Sequence, residues 1–194
     1  MKNQTKWSID QTHSEIAFKV KHLMIAHVKG TFKKFDASIY TVEQDFNTVQ
    51  IDLWIDAASI STGDETRDAH LMSEDFLDVK SHKQITFVSD SIEKTDSVSN
   101  YDIWGSLTIK GITKKTRLHA QFGGIVKDQL GNTKAGFTIV LEINRSEWGL
   151  TWNNILETGG LLLSDEVSIS CELELSNTLQ KDMEMKLEQK AYSS

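Results

Sequence analysis

Two polar side chains stand in line with apolar ones in this sequence. His22 continues an alternating apolar series that includes Val20, and Arg145 continues another that includes Ile143. Residues two apart on a β-strand share a face, so the pattern turns both polar groups inward with their neighbours. An inward imidazole can exchange a proton or hydrogen-bond a ligand, and an inward guanidinium can hold a negative charge.

Each of these two groups also has a structural explanation. His22 can be a core histidine whose ring is satisfied by a backbone carbonyl. Arg145 lies at the end of its series, where its charged head can reach water or pair with Asp68 or Asp165. The sequence leaves both interpretations open for His22 and favours a structural ion pair for Arg145.

The other reactive residue types form no catalytic pattern. The histidines are scattered and provide no spaced set of metal ligands on one element, so no metal site is predicted. Ser14 follows His13 directly, but adjacent strand residues face opposite ways. The single Cys171 is in phase with apolar residues and is predicted to be a small buried residue rather than a nucleophile. No catalytic residue and no cofactor is predicted.

Composition sets the broad class of protein. The chain has 194 residues, 39% of them hydrophobic and 25% charged, which is typical of one globular domain. A net charge of −7 argues against a nucleic-acid partner, which would require clustered lysines and arginines. We find no secretory signal and no apolar run long enough for an integral membrane span, and we therefore expect a cytoplasmic protein.

Alternating apolar and polar residues predict strands along most of the chain. Long antiparallel strands of this kind curl and close, and a barrel of about eight of them can hold one small ligand. The fold class predicted is therefore all-β, a single antiparallel barrel. Nine stretches carry the pattern, at about 7–9, 14–23, 28–40, 49–55, 85–87, 101–109, 113–122, 133–145 and 167–175.

Three details of the pattern predict local structure. The apolar phase slips by one residue near Lys33 and Lys34, as a β-bulge would cause. The dipeptide Lys110-Gly111 predicts a tight hairpin turn. The interval 64–79 predicts one or two short helices across an end of the barrel, with Ser73 as a possible N-cap. The apolar interval 146–164 is expected to line the mouth of the cavity.

Ordered blocks covering about residues 7 to 176 form a specific combined pattern. They are Trp7-x-Ile9-Asp10-x-x-His13-Ser14, Lys21-His22-Leu23, Val28-x-Gly30-x-Phe32, Ser61-Thr62-Gly63, Arg67-Asp68-x-His70-Leu71, Ile85-Thr86-Phe87, Gly105-x-Leu107-Thr108-Ile109-Lys110-Gly111 and Arg145-x-x-Trp148-Gly149-Leu150. Together they resemble the YceI-like, polyisoprenoid-binding family.

The resemblance implies a lipocalin-like antiparallel barrel of eight strands, partly closed by a helix, that binds a long isoprenoid chain such as a polyprenyl or quinone-type lipid. It implies no enzymatic activity, so the blocks around His13, Arg67, His70 and Arg145 are expected to shape the pocket. One departure is Glu147-Trp148-Gly149, where relatives have Asp-Phe-Gly, and the larger indole of Trp148 is expected to narrow the pocket.

We therefore predict a carrier or storage protein for an isoprenoid lipid. The barrel domain is placed at residues 1–176, and residues 177–194 are expected to be an amphipathic or disordered tail. The predicted ligand-binding side chains are the inward residues of the strands and the apolar residues near the mouth. They are Phe18, Val20, His22, Phe32, Ile51, Leu53, Leu71, Phe76, Phe87, Leu107, Phe122, Phe137, Ile139, Arg145, Trp148, Leu150 and Ile169.

Two other functions stay open at this point. One is an enzyme acting on a small apolar or lipid substrate, with His22 as acid or base and Arg145 holding charge. The other is a barrel with a filled core that acts through its surface as an interaction module or a homodimer. Its contacts would be the outward Trp54 and Trp104.

Overall fold

The alternating stretches of the sequence fold into strands of one antiparallel sheet. The computed structural model describes residues 4–23, 25–95, 99–155 and 162–177. Within these ranges the strands are β1 (Gln4–Ile9), β2 (Glu15–His22), β3 (Ala26–Phe32), β4 (Phe35–Val42), β5 (Asp45–Asp56), β6 (Ile60–Ser61), β7 (Gln84–Lys94), β8 (Asn100–Ile109), β9 (Ile112–Lys127), β10 (Thr133–Asn144) and β11 (Leu163–Asn177). The one α-helix in the described part of the chain is α1 (Glu65–Met72), and short 3-10 turns span Ala57–Ser59 and Arg145–Trp148.

Eight of these strands form a closed ring. Their order is β1, β4, β5, β7, β8, β9, β10 and β11, and β11 returns to β1 through the pairs Ser8 with Ser176 and Ile9 with Leu175. The rest of β11 pairs with β2, and β2 pairs with β3. The predicted eight-stranded antiparallel barrel is confirmed. Its closing seam is short because β11 divides its length between β1 and β2.

The predicted phase slip near Lys33 and Lys34 is a break between strands. β3 ends at Phe32 and β4 begins at Phe35, and the two residues between them bond to Ser59 instead of to a neighbouring strand. The break divides the predicted continuous stretch 28–40 into two strands with different partners, since β3 pairs with β2 whereas β4 pairs with β1. The tight turn at Lys110-Gly111 forms as predicted, with positive φ at both residues and Ile109 paired with Ile112.

Helix α1 lies in the predicted interval, but its cap differs from the prediction. The carboxylate of Asp64 accepts a hydrogen bond from the backbone N–H of Arg67 at 3.0 Å and so caps the N-terminus. Ser73, the predicted N-cap, is the C-cap instead. The helix therefore begins earlier than expected and uses the acidic residues Glu65 and Asp68 in its first turn. Among the described residues no helix has the length and apolar character that a membrane crossing requires.

Candidate ligand cavity

The barrel encloses a cavity of about 630 Å³. Apolar side chains from the inner faces of the strands make up most of its wall, and a few residues of α1 and of the segment after β10 complete it. This volume is in the usual range for sites that hold a small molecule. Of the residues predicted to contact a ligand, the wall includes Phe18, Val20, His22, Phe32, Ile51, Leu53, Leu71, Phe76, Phe87, Leu107, Phe137, Ile139, Arg145, Leu150 and Ile169.

The inward side chains that line the cavity differ in how fully their neighbours bury them. On β7 and β8 the inward side chains Phe87 and Leu107 are buried by their neighbours. On β2, β10 and β11 the inward side chains Phe18, Ile139 and Ile169 are only half-buried, although they too line the cavity. The apolar faces therefore converge on a space that they do not fill themselves.

Two of the predicted ligand-binding residues, Phe122 and Trp148, are not among the residues that line the cavity. The ring of Phe122 packs on Phe46 and Phe137, with centroids 5.4 and 5.1 Å apart. Trp148 is buried, and its indole N–H donates to the backbone carbonyl of Leu107 at 3.3 Å. Trp148 belongs to a 3-10 turn, where strand alternation no longer predicts direction, so its indole does not narrow the cavity.

Four aromatic rings close one end of the barrel, which we call the aromatic end. Phe46 stands at its centre, with ring centroids 5.0 Å from Trp7, 5.4 Å from Phe122 and 4.9 Å from Phe137. Trp7 has no exposed surface, and its indole N–H donates to the hydroxyl of Thr41 at 2.9 Å. Rings at these distances and tilted angles attract each other beyond simple burial. The aromatic end is therefore closed by packed rings, which form the floor of the cavity.

Polar side chains lie at the opposite end of the cavity, which we call the helix end. We define it by four polar residues and one aromatic residue, His22, Arg67, His70, Arg145 and Trp152. All five line the cavity. The ring of His70 lies 4.7 Å from that of Trp152, edge to face, and the carbonyl of Trp152 accepts from Arg145. Phe137 and Asn144, the residue before Arg145, lie seven residues apart on β10, so the two ends are roughly 23 Å apart.

Arg145 holds the backbone of the helix end together. Its Nε donates to the carbonyl of Ser164 at 2.9 Å, and its Nη1 donates to the carbonyls of Leu150 at 2.5 Å and Trp152 at 2.9 Å. Its Nη2 lies 3.3 Å from the carboxylate of Asp165, one of the two predicted partners. Burial lowers the pKa of Arg145, and the charge of Asp165 opposes that shift. These four contacts occupy most of the five donors that an arginine has.

Arg67 is anchored on one side only. Its Nε donates to the hydroxyl of Thr62 at 2.7 Å, and its Nη2 donates to the carbonyl of the same residue at 3.1 Å. The Thr62 hydroxyl in turn donates to Asp68 at 2.6 Å. No carboxylate of the described residues lies within ion-pair distance of Arg67. The guanidinium is thus fixed in direction while its outer donors face the cavity or solvent.

Arg67 and His70 belong to blocks expected to shape the pocket but are not among the predicted ligand-binding residues, although their spacing in the sequence places them there. Arg67, His70 and Leu71 are spaced by three and four residues, and such residues share a face of a helix. Leu71 was predicted to face the cavity, so the other two had to accompany it. His70 is held there by Asp75, whose carboxylate lies 2.9 Å from Nε2, and by the edge of Phe76.

An ionic cluster lies beside the closing seam of the barrel. The ammonium of Lys134 is 2.7 Å from Asp10 and 2.9 Å from Glu174, and the ring of His13 is 3.2 Å from Asp10. The hydrogen bond from Lys134 is the main cause that lowers the pKa of Asp10. Burial pulls down the pKa of Lys134, but its two carboxylate partners outweigh burial and raise it. Asp10, His13 and Glu174 have ligand atoms close enough for a metal ion, but the ammonium of Lys134 already contacts both carboxylates.

Cys171 lies on the cavity wall, in line with the prediction from its strand phase. Its side chain is half-buried, and burial raises the pKa of its thiol to about 12. A thiol with such a pKa is protonated at neutral pH and is a poor nucleophile.

Comparison with known proteins now places the chain. The model of the YceI-like domain matches residues 7–175. The chain belongs to the YceI-like family. A UPF0312 protein of Staphylococcus epidermidis is 38% identical to it over 173 residues, which cover 89% of this chain and 98% of the relative.

Solved structures give the same result for the fold. BcnA of Burkholderia cenocepacia superposes on this YceI-like chain with a TM-score of 0.74 and 26% identity, over 86% of this chain and 98% of BcnA. A polyisoprenoid-binding domain of Saccharophagus degradans, implicated in plant cell wall breakdown, superposes with a TM-score of 0.64 over 89% of this chain and 99% of that one. Its identity is 16%, so this last likeness is one of fold.

Proposed function

We propose that this YceI-like protein binds a long-chain isoprenoid lipid of the polyprenyl or quinone type in its barrel cavity, as a carrier or storage protein. One observation carries the proposal: an apolar cavity of about 630 Å³ with a packed aromatic floor and polar groups at the other end. The Saccharophagus domain of the same fold is described as polyisoprenoid-binding, which agrees with this use of the barrel.

The wall supplies affinity by burial alone. If a carbon atom takes a share of space similar to that of a water molecule, about 30 Å³, the cavity holds on the order of twenty carbons. Each methylene removed from water contributes about 0.8 kcal/mol. The sum exceeds ten kcal/mol by a rough count and can offset the roughly 4–15 kcal/mol of freedom lost on association. The proposal therefore requires no catalytic group and includes no turnover.

Native mass spectrometry tests the proposal directly. Protein purified from cells is measured intact, extracted with organic solvent and measured again. We expect a non-covalent mass of several hundred daltons that the extraction removes, and renewed uptake when a polyprenyl lipid is added to the emptied protein. Repeated recovery of empty protein that takes up no polyprenyl lipid would overturn the proposal and favour action through the surface.

A pair of neighbouring substitutions locates the binding in the barrel. Ile139 lies on the cavity wall, whereas Val140, the next residue of β10, is 49% exposed on the outer face. Ile139→Trp should fill the cavity and abolish lipid uptake, and Val140→Trp should leave uptake unchanged. Equal uptake by both variants would show that the lipid binds elsewhere. The predicted homodimer and the predicted cytoplasmic location stay predictions.

A further inference from the structure

The helix end presents a positive charge to an otherwise apolar cavity. The charged side chains on the wall are Asp64, Arg67 and Arg145, with His22 and His70 beside them. The carboxylate of Asp64 is committed to capping α1, since it accepts from the backbone N–H of Arg67. Among the described residues, the wall therefore has two guanidinium groups and one carboxylate, and that carboxylate already has a partner.

The two arginines differ in how many donors they can offer. A guanidinium has five N–H donors. Arg145 directs its donors at three carbonyls and at Asp165. Arg67 uses one N–H of Nε and one of Nη2, both on Thr62, and for its remaining N–H groups the described residues provide no hydrogen-bond partner. Of the cations that the described part of the chain places on the wall, Arg67 is thus the one with donors available.

Thr62 makes Arg67 a positioned group and not a free one. The threonine accepts from Nε and from Nη2 and is itself held by Asp68, which accepts from both its hydroxyl and its backbone N–H. A guanidinium fixed along one edge offers its other edge as two parallel donors, the geometry that phosphate and carboxylate oxygens bind best. Removing these donors from water is favourable when an anion meets them.

We propose that the ligand is an isoprenoid chain with an anionic head group, a phosphate or a carboxylate, which Arg67 binds at the helix end while the chain extends toward the aromatic end. This inference rests on the proposed function and adds to it the chemistry of the head group and the direction of the chain. It distinguishes the ligand from a neutral alcohol or quinone of the same chain length. His22 also lies on the wall and adds a hydrogen-bonding group at this end.

Three probes of one chain length test the inference on the unmodified protein. They are geranylgeranyl monophosphate, geranylgeranoic acid and geranylgeraniol, each titrated by isothermal calorimetry into protein freed of lipid. We expect at least one anionic probe to bind about tenfold or more tightly than the alcohol, equivalent to about 1.4 kcal/mol. Which anion binds better identifies the head group. Equal affinity for all three would overturn this inference and leave the proposed function standing, whereas failure of all three to bind would overturn both.

Substitution of Arg67 tests its role. Arg67→Gln should remove most of the preference for the anionic probe and leave the affinity for the alcohol within about twofold to threefold, because the apolar wall is unchanged. Arg67→Lys keeps the charge without the planar pair of donors and should retain part of the preference. Arg117→Gln, which changes an exposed arginine beside Trp104 on the outer face, is the matched control and should change nothing. Equal weakening of the anion and the alcohol by Arg67→Gln would overturn the assignment, and the comparison of probes on the unmodified protein decides the head group even where a variant folds poorly.

Discussion

The two ends of the barrel consist of different kinds of residue and are held by different interactions. The aromatic end is made of Trp7, Phe46, Phe122 and Phe137, whose rings contact each other directly. The helix end is made of α1 and the segment after β10, which meet through the rings of His70 and Trp152. Hydrogen bonds from Arg145 join that segment to the start of β11 through backbone carbonyls. The packed rings fill the space at the aromatic end but hold no polar group in a set direction. The hydrogen bonds at the helix end hold polar groups in a set direction and leave part of the space unfilled.

This difference assigns the two ends different tasks. A floor of packed rings adds to stability and gives a chain an apolar surface to reach. An end built from cations and carbonyls keeps polar groups next to an apolar space, where each polar group must find a partner. Substitutions at the aromatic end should therefore change the free energy of unfolding most, and substitutions at the helix end should change recognition.

The largest effect is expected from Trp7→Ala. The substitution removes a fully buried indole, its contact with Phe46 and its hydrogen bond to Thr41. Large-to-small changes of this kind cost about 3–5 kcal/mol of unfolding free energy. Urea denaturation followed by circular dichroism measures the loss. A loss below about 1 kcal/mol would mean that the floor does not hold the barrel.

Arg145→Met should cost less, about 2–3 kcal/mol, because it leaves carbonyl groups without their buried donor. The expected loss is concentrated in the segment that contains Leu150 and Trp152, so limited proteolysis should cut there before the barrel unfolds. Arg117→Met on the outer face is the control. Unchanged protection of that segment would contradict the role given to Arg145.

Asp10→Asn should cost about 1.5–3 kcal/mol at neutral pH, in keeping with the loss of hydrogen bonds to a charged group. The pKa of Asp10 is lower in the folded protein than in the unfolded chain. Its contribution is therefore fully present above the unfolded pKa, near 4 by the usual range, and is lost as the pH falls through the folded value. The difference in urea midpoint between the two proteins should shrink below about pH 4. A difference that stays constant down to pH 3 would contradict the contribution of the ionised carboxylate.

The smallest effect on stability is expected from Thr62→Val, about 0.5–1.5 kcal/mol. The change removes the hydroxyl that anchors Nε of Arg67 and preserves the size of the side chain. It should nevertheless lower the preference for an anionic probe by severalfold, because Arg67 loses its fixed direction. Calorimetry with the phosphate and the alcohol measures that ratio. A ratio equal to that of the unmodified protein would show that the anchor is dispensable.

Much of the barrel could be predicted from the sequence because strand alternation is a local property. The series around Val20, Ile139 and Ile169 identified inner faces correctly, and the slip at Lys33 and Lys34 located a break in the sheet. The family blocks added the closed eight-stranded topology. Where alternation ended, prediction of direction ended as well, and Trp148 in its 3-10 turn is the example.

The helix end shows the other limit of the sequence. The strand phase of the sequence identified Arg145 as an inward residue. It did not show which groups occupy its donors, because the carbonyls of Leu150, Trp152 and Ser164 belong to other segments of the chain. Arg67 had the helical spacing that places it beside Leu71, yet its available donors became visible only once Thr62 was seen to hold one edge.

By itself the sequence determined which faces of the strands are apolar, since side-chain direction in a strand depends only on position along it. Tertiary structure alone decided that these faces enclose a space and that four rings from separate strands close one end of it. It also decided that, among the described residues, Arg67 is the cation with available donors at the other end. Those outcomes depend on how side chains from distant segments pack and form hydrogen bonds with one another, and a local sequence pattern contains no information about such contacts.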